Sequence, residues 1–210
     1  MNWTHTKTYW RAFSGLCLVL LLTQCGGSGS SQGGSNGGDE ITVVPGENYF
    51  ALQTAEGRHE MVLDRGQIFL DGPGYSLSGE KKGDKRKYYT AEGDVALEVK
   101  YSDEDKLKIR NADGSLRWKI KLYEDKIKVA DNEEMENAYE IRLYEGNRIK
   151  IKRNDEELAE WRLPPDATNQ LSREGTKLEG IAPGLTAGVV LLDALTAQEQ
   201  MVLMSELFTR

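Results

Sequence analysis

The chain has 210 residues, with 27 Lys and Arg against 34 Asp and Glu, a formal net charge of −7. That acidic balance argues against general nucleic-acid binding, which wants a basic domain. The length suits one domain with one core.

Lys7 and Arg11 form a short basic leader ahead of an apolar run over residues 12–22. This is the plan of a secretory signal peptide over 1–24. The run is about half the roughly 20 apolar residues that a membrane-crossing helix needs. Nothing apolar extends it beyond Leu22, which argues against an uncleaved anchor.

Leu22, Thr23, Gln24 and Cys25 resemble the lipobox of bacterial lipoproteins. In that family a leucine stands three residues before the cysteine and a small residue just before it. The resemblance implies that Cys25 is the lipid-attachment residue: thioether-linked to diacylglycerol, with the leader removed and the new amino terminus acylated. Gln24 departs from the usual small residue. Cys17 lies inside the apolar run and is a poor second candidate. With the leader gone Cys25 has no disulfide partner, and acylation is the simplest use of a lone exported cysteine. Removing Lys7 and Arg11 from the 27 basic residues leaves 25 against 34 acidic ones, net −9.

Residues 25–40 then read as a tether. Positions 26–38 hold Gly, Ser, Gln and Asn and no apolar side chain. Such a segment is a flexible coil averaging about 20 Å end to end. Gly26 in place of Asp lacks the inner-membrane retention signal of some lipoproteins, so the resemblance implies the outer membrane of a bacterial envelope.

The body, residues 41–210, repeats with a beat near twenty residues, and units open at Lys106, Lys126 and Arg148. Each unit is a strand, a polar turn and a second strand with period-two alternation, as half-buried strands require. One face carries Leu97, Val99, Leu107, Ile109, Trp118, Ile120, Ile127, Val129, Ile141, Leu143, Ile149, Ile151 and Trp161. The other carries lysines and arginines, Arg117 among them, and the turns carry acids. Upstream, Tyr49 to Leu52 pairs with Glu60 to Leu63, and Gln67 to Leu70 with Tyr75 to Ser78. Asp113-Gly114 is a hairpin signal. The expected fold is mainly β: an antiparallel meander of about twelve short strands, closing into a barrel to remove its edges.

Pro164 and Pro165 end the last expected strand, and a polar connection reaches Gly184. Residues 185–195 are apolar on nearly every side, as a buried helix is. Thr196 with Glu199 is a capping-box pattern that opens a second, more amphipathic helix over 197–208. A twelve-stranded barrel is too wide for its own side chains to fill, so an apolar helix through its centre serves both.

Strand count, the hairpin around Asn111 to Trp118 and the final apolar helix resemble the tubby C-terminal-like group, including the LURP-one-related proteins. The resemblance covers roughly 47–208 and implies a twelve-stranded barrel around a C-terminal helix. Some members bind phosphoinositides through basic residues, and none of those contacts maps onto a position here. A transmembrane barrel is the rival, but most strands fall short of the 9–11 residues that spanning takes.

Catalytic chemistry finds few candidates. His59 is the only histidine after the leader and reads as a turn-flanking surface residue. Gly74 to Ser78 breaks the nucleophile-elbow pattern at its last position. The acids over 131–136 lack the EF-hand spacing and read as a solvated loop. Asp193, inside the apolar segment, belongs at a barrel mouth. The expectation is a non-enzymatic envelope lipoprotein with no cofactor, no metal and no nucleic-acid partner. It meets the membrane through its lipid, and anionic lipid or an envelope protein are the further partners. The alternative is a lipid- or small-ligand-binding barrel that uses its basic outer face or a core cavity.

Overall fold

The structure, a computed structural model, describes residues 42–210. The leader, Cys25 and the tether lie outside these residues. Val44–Arg210 forms one compact unit.

Among the described residues fourteen strands make one antiparallel sheet. They are β1 (Tyr49–Thr54), β2 (Gly57–Asp64), β3 (Gln67–Gly72), β4 (Tyr75–Lys82), β5 (Lys85–Tyr89), β6 (Val95–Asp103) and β7 (Lys106–Asn111), then β8 (Leu116–Leu122), β9 (Lys126–Ala130), β10 (Tyr139–Tyr144), β11 (Arg148–Arg153), β12 (Glu156–Arg162), β13 (Gln170–Arg173) and β14 (Thr176–Glu179). Each of β1 to β11 pairs with the next, and β14 returns to pair with β1, with β13 outside it. The sheet curls into a nearly closed barrel whose seam lies between β12 and β13. The meander over β1–β12 follows the alternation in the sequence. The two strands β13 and β14 occupy what reads as a polar connection. Their four residues apiece are too short to set up a periodic signal, and pairing with β1 decides them.

The repeat has a structural counterpart at one rim. Main-chain carbonyls of Asn48, Asp84, Asp105, Asp125 and Asn147 accept from the amides of Leu63, Tyr101, Leu122, Leu143 and Leu163. Each of these five residues precedes a hairpin and is thus stitched to the far end of that hairpin.

Two elements fill the barrel. Leu185–Leu191 is a 3-10 helix rather than a continuous helix to 195, and Asp193 beyond it is exposed. Its path is squeezed: a Cβ on Gly188 would sit 2.4 Å from Ile141 Cγ2 and 2.8 Å from Ile149 Cγ2. The helix α1 (Ala197–Phe208) follows, and every residue from Glu199 to Glu206 is buried. The expected roles are therefore exchanged. The element enclosed on all sides is α1, because its glutamates find partners on the barrel wall. Thr196 caps it: the Glu199 amide donates to Thr196 Oγ1 at 3.3 Å, and the Thr196 amide donates to Glu199 Oε2 at 2.8 Å. Met201, Val202, Leu203 and Met204 are fully buried against inward residues such as Phe50, Ile68, Ile109 and Ile120.

Candidate functional site

Burying α1 puts two carboxylates inside the barrel, and each is answered by an arginine. Glu199 and Glu206 are seven residues apart, so they lie on one helix face about 10 Å apart along the axis.

At one end, Arg117 Nε donates to Glu199 Oε1 at 2.5 Å. Arg117 stands on the outward parity of β8, yet it turns to the helix. The reason is a β-bulge: Ile109 pairs with Trp118 and Arg110 with Leu116, leaving Arg117 without a cross-strand partner. A bulge re-aims the side chain of its extra residue. Burial alone would raise the Glu199 carboxyl; Arg117 and the Thr196 amide overrule it and hold it below the usual range.

At the other end, Tyr88 Oη donates to Glu206 Oε1 at 2.8 Å and Tyr101 Oη to Glu206 Oε2 at 2.5 Å. Arg86 Nε lies 3.3 Å from the same carboxylate. Arg86 Nη1 also donates to the Gly66 carbonyl at 3.4 Å. Arg86 is 5% exposed and Glu206 1%. Burial disfavours the arginine's charge, and Glu206 more than restores it. Burial and the adjacent carboxylate push both tyrosine hydroxyls well above their ordinary value. The sequence carried one signal for this cluster: Arg86 and Tyr88 share the inward parity of β5, and an arginine at an apolar-parity position requires a buried acid.

His59 also lies inside. It is 2% exposed on β2 rather than on the surface, with Nδ1 3.0 Å from Tyr75 Oη and the two rings stacked at 5.7 Å. Its Nε2 is buried without a hydrogen-bond partner. Burial pushes the imidazole below its ordinary pKa. Trp118 and Trp161 are both buried.

On the outer face the cations are answered strand by strand. Glu140 sits among Arg142 at 3.2 Å, Lys128 at 3.6 Å and Lys126 at 3.7 Å. Glu98 draws Lys85 and Lys87. Glu160 takes Arg162 at 2.8 Å and Lys150 at 2.9 Å, and these two hold its carboxyl down at about 2. From the 131–138 loop Glu133 reaches back to Lys108 at 2.7 Å, with Lys119 and Arg110 within 3.5 Å. The surface is thus a mesh of mixed charge, and its exposed pairs are each worth about 0–1 kcal/mol. Among the described residues no group of three His, Cys, Asp or Glu is placed to hold a metal ion.

Two open clefts lie at β13 and β14, the first beside the ends of these strands and the second on them. One, of about 580 Å³, is lined by Gly46, Asn169, Ile181, Pro183, Thr186 and Phe208. The other, of about 540 Å³, is polar and includes Gln53, Arg58, Gln170, Ser172, Lys177 and Glu179. Neither is lined by any of Val189 to Leu192, beside which a cavity would favour the ligand-binding alternative. No protein-family model, curated protein or solved structure matches this chain.

Proposed function

We propose that the chain is an exported lipoprotein, anchored through Cys25, that displays a non-enzymatic barrel as a binding or structural module of a bacterial envelope, the outer membrane by preference. The single observation that carries this is the Leu22-to-Cys25 box, preceded by a short apolar leader and followed by a glycine- and serine-rich tether. The barrel supports it in kind. Its interior is taken up by α1, whose two carboxylates are both paired and hold the helix to the barrel wall. A meander wrapped around a C-terminal helix also favours the tubby-like resemblance, with β13 and β14 as additions to the twelve strands. The alternative, a lipid- or small-ligand-binding barrel, is better served by the cleft at Ile181 and Phe208 than by the basic face, where acids such as Glu98, Glu140 and Glu160 already pair with many of the cations.

The test is Cys25→Ser in the full chain. The expected result is loss of labelled palmitate incorporation and movement from the membrane to the soluble fraction. Unchanged fractionation and labelling would overturn the anchor.

A further inference from the structure

The cleft of about 580 Å³ falls within the roughly 300–1,000 Å³ of sites that hold small molecules. Separate stretches of chain meet at it: Gly46 ahead of β1, Asn169 ahead of β13, residues 180–183 after β14, and Thr186 and Phe208 from the two interior elements. The Gly180 amide donates to the Asn169 carbonyl at 2.6 Å and ties two of these stretches together. Gly180 packs hard on β1, where a Cβ would stand 2.9 Å from Phe50 Cα. A Cβ on Gly46 would stand 3.3 Å from Asn169 Nδ2, so glycine at 46 leaves that amide uncrowded.

The lining has two parts. Ile181, Pro183 and Phe208 are apolar; Ile181 is 2% exposed, and the half-buried Phe208 ring is set 5.5 Å from that of Phe50. Asn169 and Thr186 are polar and half-buried, and neither side chain has a hydrogen-bond partner within the protein. An amide both donates and accepts, and so does a hydroxyl. Among the described residues no Lys, Arg, His, Asp or Glu lines this cleft. The neighbouring cleft is the opposite case, lined by Lys177 and by Arg58 and Glu179, which pair at 2.8 Å.

We propose that the uncharged cleft binds a neutral single-chain amphiphile, of which a monoacylglycerol is the simplest, with its head on Asn169 and Thr186 and its chain on Ile181, Pro183 and Phe208. This inference rests on the ligand-binding reading of the barrel and is independent of the anchor at Cys25. A charged head drawn into the cleft loses water and meets no counter-charge, which is the costly case of burial. A glyceryl head brings hydroxyl and ester groups that exchange hydrogen bonds with both unpartnered side chains. Convergence of a few polar groups on an apolar lining is the ordinary build of a small-molecule site.

The experiment uses the full chain carrying Cys25→Ser, which removes the protein's own acyl groups from competition. Monodecanoylglycerol, decanoate and decyltrimethylammonium share one chain length and differ in head charge, and each is titrated below its micellar concentration by calorimetry. The expected result is binding of monodecanoylglycerol about tenfold or more tighter than either charged amphiphile. Asn169→Ala and Thr186→Ala should each weaken it about three- to tenfold with the melting temperature unchanged, since neither side chain bonds within the protein. Ala182→Trp, at an exposed position of the lining, should abolish it. Equal affinity for the three heads, or undiminished affinity in these variants, overturns this inference and leaves a ligand-binding barrel standing. Binding of none of the three overturns both.

Discussion

Replacing Arg86 by methionine removes the cation that lies 3.3 Å from a carboxylate that is 1% exposed. Breaking one side of a buried ion pair costs about 3–5 kcal/mol, because the remaining charge has no compensation. Tyr88 and Tyr101 continue to donate to Glu206, which places Arg86→Met near the lower end, about 3 kcal/mol. Glu206→Gln leaves Arg86 charged and buried with neutral acceptors alone, the Gly66 carbonyl, the Tyr101 hydroxyl and the new amide oxygen, at about 2–3 kcal/mol. The double variant buries no net charge, so its loss falls short of the sum of the two by about 1 kcal/mol or more. Urea unfolding followed through the buried Trp118 and Trp161 measures all three midpoints, and either loss is a large part of a typical 5–15 kcal/mol stability. Additivity of the two changes within about 0.5 kcal/mol would refute the reasoning. It would mean that Arg86 and Glu206 are each held by other partners and that the helix is not clasped at this end.

Three further outcomes follow from the same geometry. Gly188→Val places methyl groups where Ile141 and Ile149 already stand, and thermal melting should report a loss of about 1–3 kcal/mol from overpacking. Truncation before Gly184 removes α1 and with it four fully buried side chains worth about 1.5–3 kcal/mol each, so the remaining strands should show no cooperative melt by circular dichroism. Stability should fall at both ends of the pH range. The folded pKa of His59 lies below its unfolded value near 6.5, so the unfolded state binds the extra proton and stability declines as pH drops below about 6.5. Tyr75, Tyr88 and Tyr101 are raised above 10, so their contribution is complete below pH 10 and is lost as pH climbs beyond it. His59→Gln should flatten the acid limb of the urea midpoint against pH, and an unchanged acid limb would remove His59 from that account.

The order of the strands β1 to β12 could be read from residue alternation and turn chemistry, since period two fixes which side chains face inward and short turns force neighbours to pair. Inward parity alone places Ile109, Trp118, Ile141 and Trp161 correctly. The capping box of α1 is equally local, because Thr196 and Glu199 need only each other. Local pattern fails where distant chain decides. The strands β13 and β14 exist because β1 offers an unpaired edge. His59 reads as a surface residue from its polar neighbours in sequence, but hairpin register turns it inward beside Tyr75. Arg117 follows outward parity until a bulge re-aims it. Glu206, Arg86, Tyr88 and Tyr101 span residues 86 to 206 and become one cluster only when the helix enters the barrel. By itself the sequence determined the alternation and the capping box, which are contiguous signals. The tertiary structure decided which helix is central and which charges are paired, because those depend on groups far apart in the chain sharing one dry interior.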